Sequence, residues 1–470
     1  MGTRRYVSRV FCQQASVLKI VSRNITAAAN PQTNLDFLEG QPHKRHPGIS
    51  HLKTLRLPEE MQTAARSIID RAQVTQLPDR TLKLTNFLWS RKRAVEDFTL
   101  RQKALSLEKK LWKKAVEKGD NMDNHVVLEG VQREVFSELR RTIYHWTPLK
   151  YNEELGVVYM ASRMAGGYAA VRRALNEIKK RDPTFAPHSL LDFGSGLGTV
   201  AWASHFYWAD TLKEIVCVDS SGPMNILAER LLKGDEEHAP SHIKHVYFRQ
   251  FLPVSPKVQF DLVTSAFTLS EISSIKEREE AVFTLWRKTS SYLLLVENGT
   301  KEGHQILMEA RDTLLQKKEE RVYDSRPASV FAPCSHEKTC PKLALMPALP
   351  CNFRQKYMPL NGHNSQIEKF SYLILTRAPP PEAKSNMSVE WSRLIASPQP
   401  RTRHVHCRLC CPDGQLKHVV VTPRKHGRDL YRCARSSEWG DQLPLIPDEE
   451  DNDMIQPDVE DNDMIQNDSE

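Results

Sequence analysis

The sequence predicts an α/β protein built around a doubly wound sheet, and three observations predict it. From Leu190 onward short apolar runs alternate with amphipathic helical stretches, the pattern of strands joined by crossover helices. The first of those runs ends in a glycine-rich turn, Leu190-Leu191-Asp192-Phe193-Gly194-Ser195-Gly196-Leu197-Gly198-Thr199, which lets the backbone approach a ligand at a helix N-terminus. Finally, 470 residues with 40% hydrophobic and 26% charged content suffice for a large core and exclude collagen, a coiled-coil rod or wholesale disorder. Uninterrupted aliphatic runs such as Leu293 to Val296 fall far short of the ~20 apolar residues of a membrane helix, so no membrane insertion is expected.

Residues 1–35 carry Arg4, Arg5, Arg9, Lys19 and Arg23, with no acid before Asp36. Val7, Val10, Phe11, Val17, Leu18 and Ile20 can gather on one helix face, giving the basic amphipathic segment of a mitochondrial transit peptide. Residues 36–150 read as a helical domain, with Leu105, Leu107, Leu111, Trp112 and Val116 interleaved with Lys109, Lys110, Lys113 and Lys114. A further helix over 159–178 leads through Pro183 and Pro187 into a core that spans 151–380. There LLDFG, EIVCVDSS, FDLVTSAF, YLLLVENG and FSYLILTRA read as strands. The last strand is separated from the others by a cysteine-bearing insertion over 326–360.

A basic extension follows over 381–440. Within residues 401–435, nine Lys or Arg face only Asp413 and Asp429, beside His404, His406, His418 and His426. VVVT and DLYRC read there as strands of a small β-hairpin unit. Residues 441–470 form an acidic tail in which EDNDMIQ occurs twice, at 450–456 and 460–466. Its composition cannot offset the entropy of ordering, so it reads as disordered and dispensable. The eleven acids of 448–470 mask a surplus of 19 positive charges on residues 1–447. Such a surplus suits a polyanion such as RNA, and Arg interleaved with Tyr431 and His joins phosphate contacts to stacking planes.

Dinucleotide sites place a third glycine three residues after the second, but position 199 is Thr. The spacing is instead GxGxG with an acid two residues earlier, which resembles motif I of the class I S-adenosylmethionine-dependent methyltransferases. The resemblance implies S-adenosyl-L-methionine as cofactor. Asp192, Gly194, Ser195, Gly196 and Gly198 would embrace its methionine part, and Asp219 would accept hydrogen bonds from its ribose hydroxyls. After the fourth strand an amino-methylating enzyme carries Asn or Asp, Pro-Pro and an aromatic, whereas this chain reads Ser265-Ala266-Phe267-Thr268. Cys217 lies within a strand and reads as core. No catalytic residue is assigned.

Of nine cysteines, seven lie between Cys334 and Cys433, a clustering that points to metal before disulfides. Cys334 and Cys340 sit in PCSHEKTCP, Cys351 in LPCNFRQ, and Cys407, Cys410 and Cys411 in CRLCCP. Proline-stiffened loops hold thiolates well for a soft metal. Only Cys407 and Cys410 have the CxxC spacing of a zinc ribbon. A four-thiolate iron–sulfur cluster tolerates irregular spacing better, zinc is the alternative, and free buried thiols are the bland reading.

Taken together, LLDFGSGLGT, the VDSS turn, VENGTKEGHQILMEAR, PCSHEKTCPK, CNFRQKY and RHVHCRLCCPDG resemble the mitochondrial small-ribosomal-subunit assembly proteins with a methyltransferase fold, over roughly residues 60–440. That resemblance implies a factor of the mitochondrial matrix that binds the maturing small subunit through its rRNA and ribosomal proteins and is needed for mitochondrial translation. It also implies a cofactor-binding fold without methyl transfer and a [4Fe-4S] cluster on Cys334, Cys340, Cys351 and Cys407, with Cys410 contending for the fourth place. Two alternatives stay open: an active rRNA methyltransferase, and an RNA-binding sensor that responds to loss of its cluster.

Overall fold

The computed structural model describes residues 37–92, 97–117, 125–143, 148–236, 238–255, 257–316, 324–377 and 391–445. The transit-peptide reading of 1–35 and the acidic tail from 446 onward lie outside them. Five helices come first: α1 Glu59–Ala72, α2 Leu77–Ser90, α3 Asp97–Glu117, α4 His125–Ile143 and α5 Glu153–Arg181. The core then runs β1 Ser189–Phe193, α6 Thr199–Trp208, β2 Glu214–Val218, α7 Gly222–Leu232, β3 Val246–Arg249, β4 Phe260–Ala266, α8 Ile275–Arg287, β5 Thr289–Asn298 and α9 Lys301–Gln316. It continues through β6 Ser329–Ala332, α10 Pro341–Ala344, β7 Phe353–Tyr357 and β8 Gln366–Thr376. A last unit holds β9 Ser392–Leu394, β10 Gln399–Pro400, β11 Val405–Cys410, β12 Leu416–Val421, α11 Pro423–His426, α12 Arg428–Ser436 and β13 Gln442–Leu443.

The large sheet has the order β3-β2-β1-β4-β5-β8-β6, with β7 also paired to β8. Strands β1 to β5 are parallel, while β8 runs antiparallel to β5 and to both β6 and β7. Both faces are covered, so its central strands are apolar on both sides. Leu190, Leu262, Leu294 and Ile374 pack with α1, α5, α6 and α7. Their neighbours Leu191, Val263, Leu293 and Leu373 pack with α8 and α9. This period-two division gives the doubly wound sheet that the alternating runs predict. The three strands missing from the sequence reading, β3, β6 and β7, are short or half-exposed.

Helix α5 begins where the Asn152 side chain accepts from the Leu155 amide at 2.8 Å, a cap of the usual kind. It ends two residues before Pro183. The helices expected over 36–150 are present, but α1 and α2 do not stand apart as a domain. Met61, Ala64, Ala65 and Ile68 of α1 belong to the α5 side of the core, and Leu84 and Leu88 of α2 pack on Val158 of α5. Helices α3 and α4 pack chiefly on each other. Among the described residues no helix is long and apolar enough to cross a membrane.

The C-terminal unit is a second sheet, β10-β11-β9-β13 with β12 on β11, around its own core of Leu394, Val405, Cys407, Leu409, Val419, Val421, Leu430 and Leu443. VVVT lies mostly in β12, as expected for the hairpin. DLYRC is not a strand. It forms α12, because Leu430, Cys433 and Ala434 are buried at helical spacing.

Residues 46–51 form a strap between this unit and the main core. His46 bonds Ser437 Oγ at 2.9 Å, the Ser50 amide donates to Asp441 at 2.7 Å, and the Gln442 amide donates to the Gly48 carbonyl at 2.9 Å. From the core, Asn176 of α5 donates to the Ser50 carbonyl at 3.0 Å.

Candidate functional site

The order of the large sheet reverses between β1 and β4, and the crevice outside such a switch point is where open α/β sheets take ligands. Here the segments after β1, β2, β3 and β4 enclose a cavity of about 790 Å³, with Gly194, Gly196, Asp219, Met224, Phe251 and Phe267 in its wall. That volume falls among ordinary small-molecule sites.

Two of the turn's amides, those of Gly194 and Ser195, donate to the Val218 carbonyl at 2.7 and 3.1 Å. Gly194 has φ +72° and Gly196 φ +51°, the left-handed region glycine enters without cost. A Cβ on Gly194 would also lie 2.1 Å from Thr268 Oγ1. Asp219 closes the turn from β2, where its Oδ2 accepts from the Gly196 amide at 2.9 Å and its Oδ1 from the Ser221 amide at 2.8 Å. Burial raises this carboxyl against the pull of those two amides. Each carboxylate oxygen retains acceptor capacity, so Asp219 stays competent to receive vicinal hydroxyls.

Three residues expected around the ligand are not in the wall. Asp192 is fully buried within the sheet, in register between Cys217 and Thr264, and accepts from Thr264 Oγ1 at 3.0 Å. Burial pushes its carboxyl up to about 7. Ser195 is turned inward, and Gly198 is the N-cap of α6. Asp192 Oδ2 and Ser195 Oγ have no hydrogen-bond partner among the described residues. The open glycine turn, the anchored acid and the cavity volume together fit a nucleoside cofactor.

The same wall also carries Lys150, Tyr151 and Tyr159. Phe267 stands at φ +59°, with the Arg163 guanidinium 5.6 Å over its ring and Arg163 paired to Glu368 at 2.9 Å. The other acid of the wall, Glu271, is paired with Arg91 and accepts from Tyr151 at 3.3 Å. Cys217 is fully buried in β2, as expected of a core residue.

A Cβ on Gly196 would meet Met224 Cε at 3.6 Å, ordinary contact, so the substitution perturbs conformation and cavity more than packing. The left-handed backbone penalises a side chain by about 1–2 kcal/mol. Gly196→Val is expected to weaken S-adenosylmethionine binding at least about tenfold in calorimetric titration, and unchanged affinity would remove the turn from the site.

The second constellation lies at the cysteine insertion. Cys410 is within electrostatic reach of Cys334, Cys351 and Cys340, and Cys351 of both Cys340 and Cys334. Burial pushes Cys334 up to about 11 and Cys351 up to about 12, and it raises Cys340 and Cys410 as well. Cys407 does not join them. It shares the interior of the C-terminal unit with Val405 and Leu409. Residues three apart on a strand point to opposite faces, so Cys407 and Cys410 of β11 face apart, and it is Cys410 that lies on the side of the other three thiols. Cys411 and Cys433 are core residues of the same unit.

Two histidines that the sequence reading passed over flank the thiols. His304 Nε2 lies 3.7 Å from Cys340 Sγ, and His336 Nε2 lies 3.4 Å from Cys410 Sγ. Buried arginines brace the loop: Arg311 donates to the His336 and Lys338 carbonyls, and Arg393 Nε donates to the Pro333 carbonyl at 2.8 Å. Arg393 also meets Glu177 of α5 at 2.8 Å, linking the insertion, the C-terminal unit and the core. Among the described residues no group of three or more His, Cys, Asp or Glu is arranged to hold a single metal ion. The donor set is four thiols, which suits a soft metal centre.

A family model described as mitochondrial small ribosomal subunit Rsm22 matches residues 153–444. The human "Ribosome assembly protein METTL17, mitochondrial" is 47% identical over 436 residues, covering 92% of this chain and 92% of the human one. The "Rsm22-cox11 tandem protein 2, mitochondrial" of Schizosaccharomyces pombe is 26% identical over 325 residues, which is 62% of this chain and 43% of that protein. Among solved structures, the magnesium protoporphyrin IX methyltransferase of Synechocystis PCC 6803 with bound SAM is 12% identical. It covers 52% of this chain and 91% of its own, at a TM-score of 0.29. A putative RNA methyltransferase of Pyrococcus horikoshii is 10% identical, covering 45% and 85%, at a TM-score of 0.28.

Proposed function

The chain belongs to the mitochondrial small ribosomal subunit Rsm22 family, and from that membership we propose that it is an assembly protein of the mitochondrial small ribosomal subunit. It acts in the matrix, docks on ribosomal RNA and serves mitochondrial translation. The observation that carries this reading is the extent of the likeness to the human ribosome assembly protein, nearly end to end on both chains. The charge distribution supports RNA as the contact: Arg401, Arg403, Arg424, Arg428, Arg432 and Arg435 are all exposed on the C-terminal unit. Phosphate contacts from such a face supply sequence-independent affinity.

The cavity at the switch point holds S-adenosylmethionine, which when bound supplies an electrophilic methyl group. Gly194 and Gly196 let the backbone close on it, and Asp219 receives its ribose hydroxyls. With Phe267 where an amino-methylating enzyme carries its Pro-Pro motif and Glu271 tied to Arg91, the pocket is a binding platform and not a catalytic one. The thiols of Cys334, Cys340, Cys351 and Cys410 hold a four-iron cluster. What supports a soft metal centre is the presence of four thiols within electrostatic reach of one another, and zinc stays the alternative to a cluster. The role of the centre is to fasten the insertion to β11.

Charge reversal tests the RNA contact. Arg428→Glu with Arg432→Glu is expected to reduce the salt slope of binding to a labelled single-stranded RNA by about 2 and to weaken binding at low salt. An unchanged slope would remove this face from the interface. The retained cavity also supports a second reading, methyl transfer to rRNA. Incubating the purified protein and precursor subunits with labelled cofactor decides it, since stoichiometric incorporation would overturn the platform.

A further inference from the structure

The exposed arginines of α12 recur at i, i+4 and i+7, as Arg428, Arg432 and Arg435. They share the helix face opposite the buried Leu430, Cys433 and Ala434. Arg435 donates to the Arg401 carbonyl at 2.8 Å, which carries the basic face onto the β10–β11 turn, where Arg403 is also exposed. The acid of this helix, Asp429, is already bonded by His43 at 2.8 Å. The face is therefore cationic along the whole helix, about 13 Å for nine residues at 1.5 Å each.

The described chain ends at Leu445, packed in the same small core as Leu430 of α12. The acidic residues follow directly. Between 448 and 470 there are eleven Asp or Glu and no Lys or Arg, and EDNDMIQ begins at both 450 and 460. At roughly 3.3–3.6 Å per extended residue, the first copy begins within about 18 Å of Leu445 and the second within about 54 Å. Both can reach a helix that packs on the strand from which they emerge.

We propose that the duplicated acidic segment docks in cis on the arginine face of α12 and the β10–β11 turn, occupying as a polyanion the surface that RNA would take. The inference rests on the RNA reading for the competitor, while its occupant rests on charge, place of emergence and reach. A tethered ligand acts at an effective concentration in the millimolar range, so a segment of modest intrinsic affinity suffices. The tail then selects for large, densely phosphorylated RNA able to displace it, against short or stray strands. The second copy supplies a replacement when the first is displaced.

The test compares the full chain with one ending at Pro447, using a fluorescein-labelled oligouridylate and, separately, a labelled EDNDMIQPDV peptide. At about 50 mM salt the shortened chain is expected to bind the oligouridylate roughly tenfold tighter, with the advantage vanishing near about 0.5 M. The peptide is expected to bind the shortened chain, not the full one, and to be lost from a shortened chain carrying Arg428→Glu and Arg432→Glu. Equal affinity of the two chains for the oligouridylate, with no peptide bound, would overturn the proposal. Tighter RNA binding by the shortened chain without peptide binding would overturn docking on this face and leave general charge repulsion. Peptide binding with no oligouridylate bound by either chain would support the docked tail and overturn the RNA reading instead.

Discussion

Protein carrying Cys410→Ala is expected to purify without visible absorption and without iron, whereas Cys407→Ala keeps both. The two positions are three residues apart on β11, yet one faces Cys334, Cys340 and Cys351 and the other the interior of the small sheet. Removing one thiol from a four-thiolate cluster removes one of its corners, and the imidazole of His336 beside Cys410 does not restore a thiolate there. Cys407→Ala instead deletes one buried sulfur and costs about 1–2 kcal/mol of packing. Iron analysis of anaerobically purified variants, about four per chain in the parent, separates the two. Iron retained in Cys410→Ala and lost in Cys407→Ala would restore the ligand set carried over from sequence. Zinc in place of iron would keep the thiol set and change the metal.

Glu177→Ala is expected to destabilise the whole assembly by about 3–5 kcal/mol, since it leaves buried guanidinium groups without their counter-charge. Glu177 accepts from Arg173 at 3.0 Å and from Arg393 at 2.8 Å, and Tyr372 donates to it at 3.1 Å. All four side chains are almost completely buried. Burial alone would raise the Glu177 carboxyl, but Arg393 and Arg173 override it and hold it well below the usual carboxylate range. Its folded value is depressed. The stabilisation is therefore complete above the unfolded value of about 4.3 and is lost as pH falls through the folded one. Urea unfolding at neutral pH should show a lowered midpoint, with the C-terminal unit cut first by protease. A midpoint equal to the parent's would mean that the three segments meeting at Glu177 are held together elsewhere.

Much of this architecture is legible in the residues because burial on both faces leaves a plain mark. LLDFG, EIVCVDSS and YLLLVENG are continuous apolar runs, and they became β1, β2 and β5. The glycine turn was equally plain, since positive φ at Gly194 and Gly196 leaves few residue choices. Asp192 was expected at the cofactor from the motif I resemblance, whereas its place inside β1 sets its side chain against Thr264 within the sheet. Cys407, carried over by family resemblance with Cys410 as contender, lies in the core of the C-terminal unit. CxxC spacing suggests a shared metal on a turn, but on an extended strand the same spacing divides the pair. DLYRC carries Leu430, Cys433 and Ala434 at helical spacing, and that period outweighs the strand propensity of Tyr431. Of the histidines beside the thiols, His336 stood in plain view within PCSHEKTCP, whereas His304 comes from α9 and meets Cys340 only through folding.

The strap over residues 46–51 has a consequence for how the protein is made. Ser50 and Asp441 are separated by 391 positions along the chain yet joined directly, and so long a closure cannot form early. If the N-terminus crosses into an organelle first, its Ser50 and His51 wait until almost the last residues have arrived. Until then the edge formed by α5 and Asn176 lacks its cover. A premature stop anywhere before Asp441 would therefore strand the beginning of the polypeptide as well as its end.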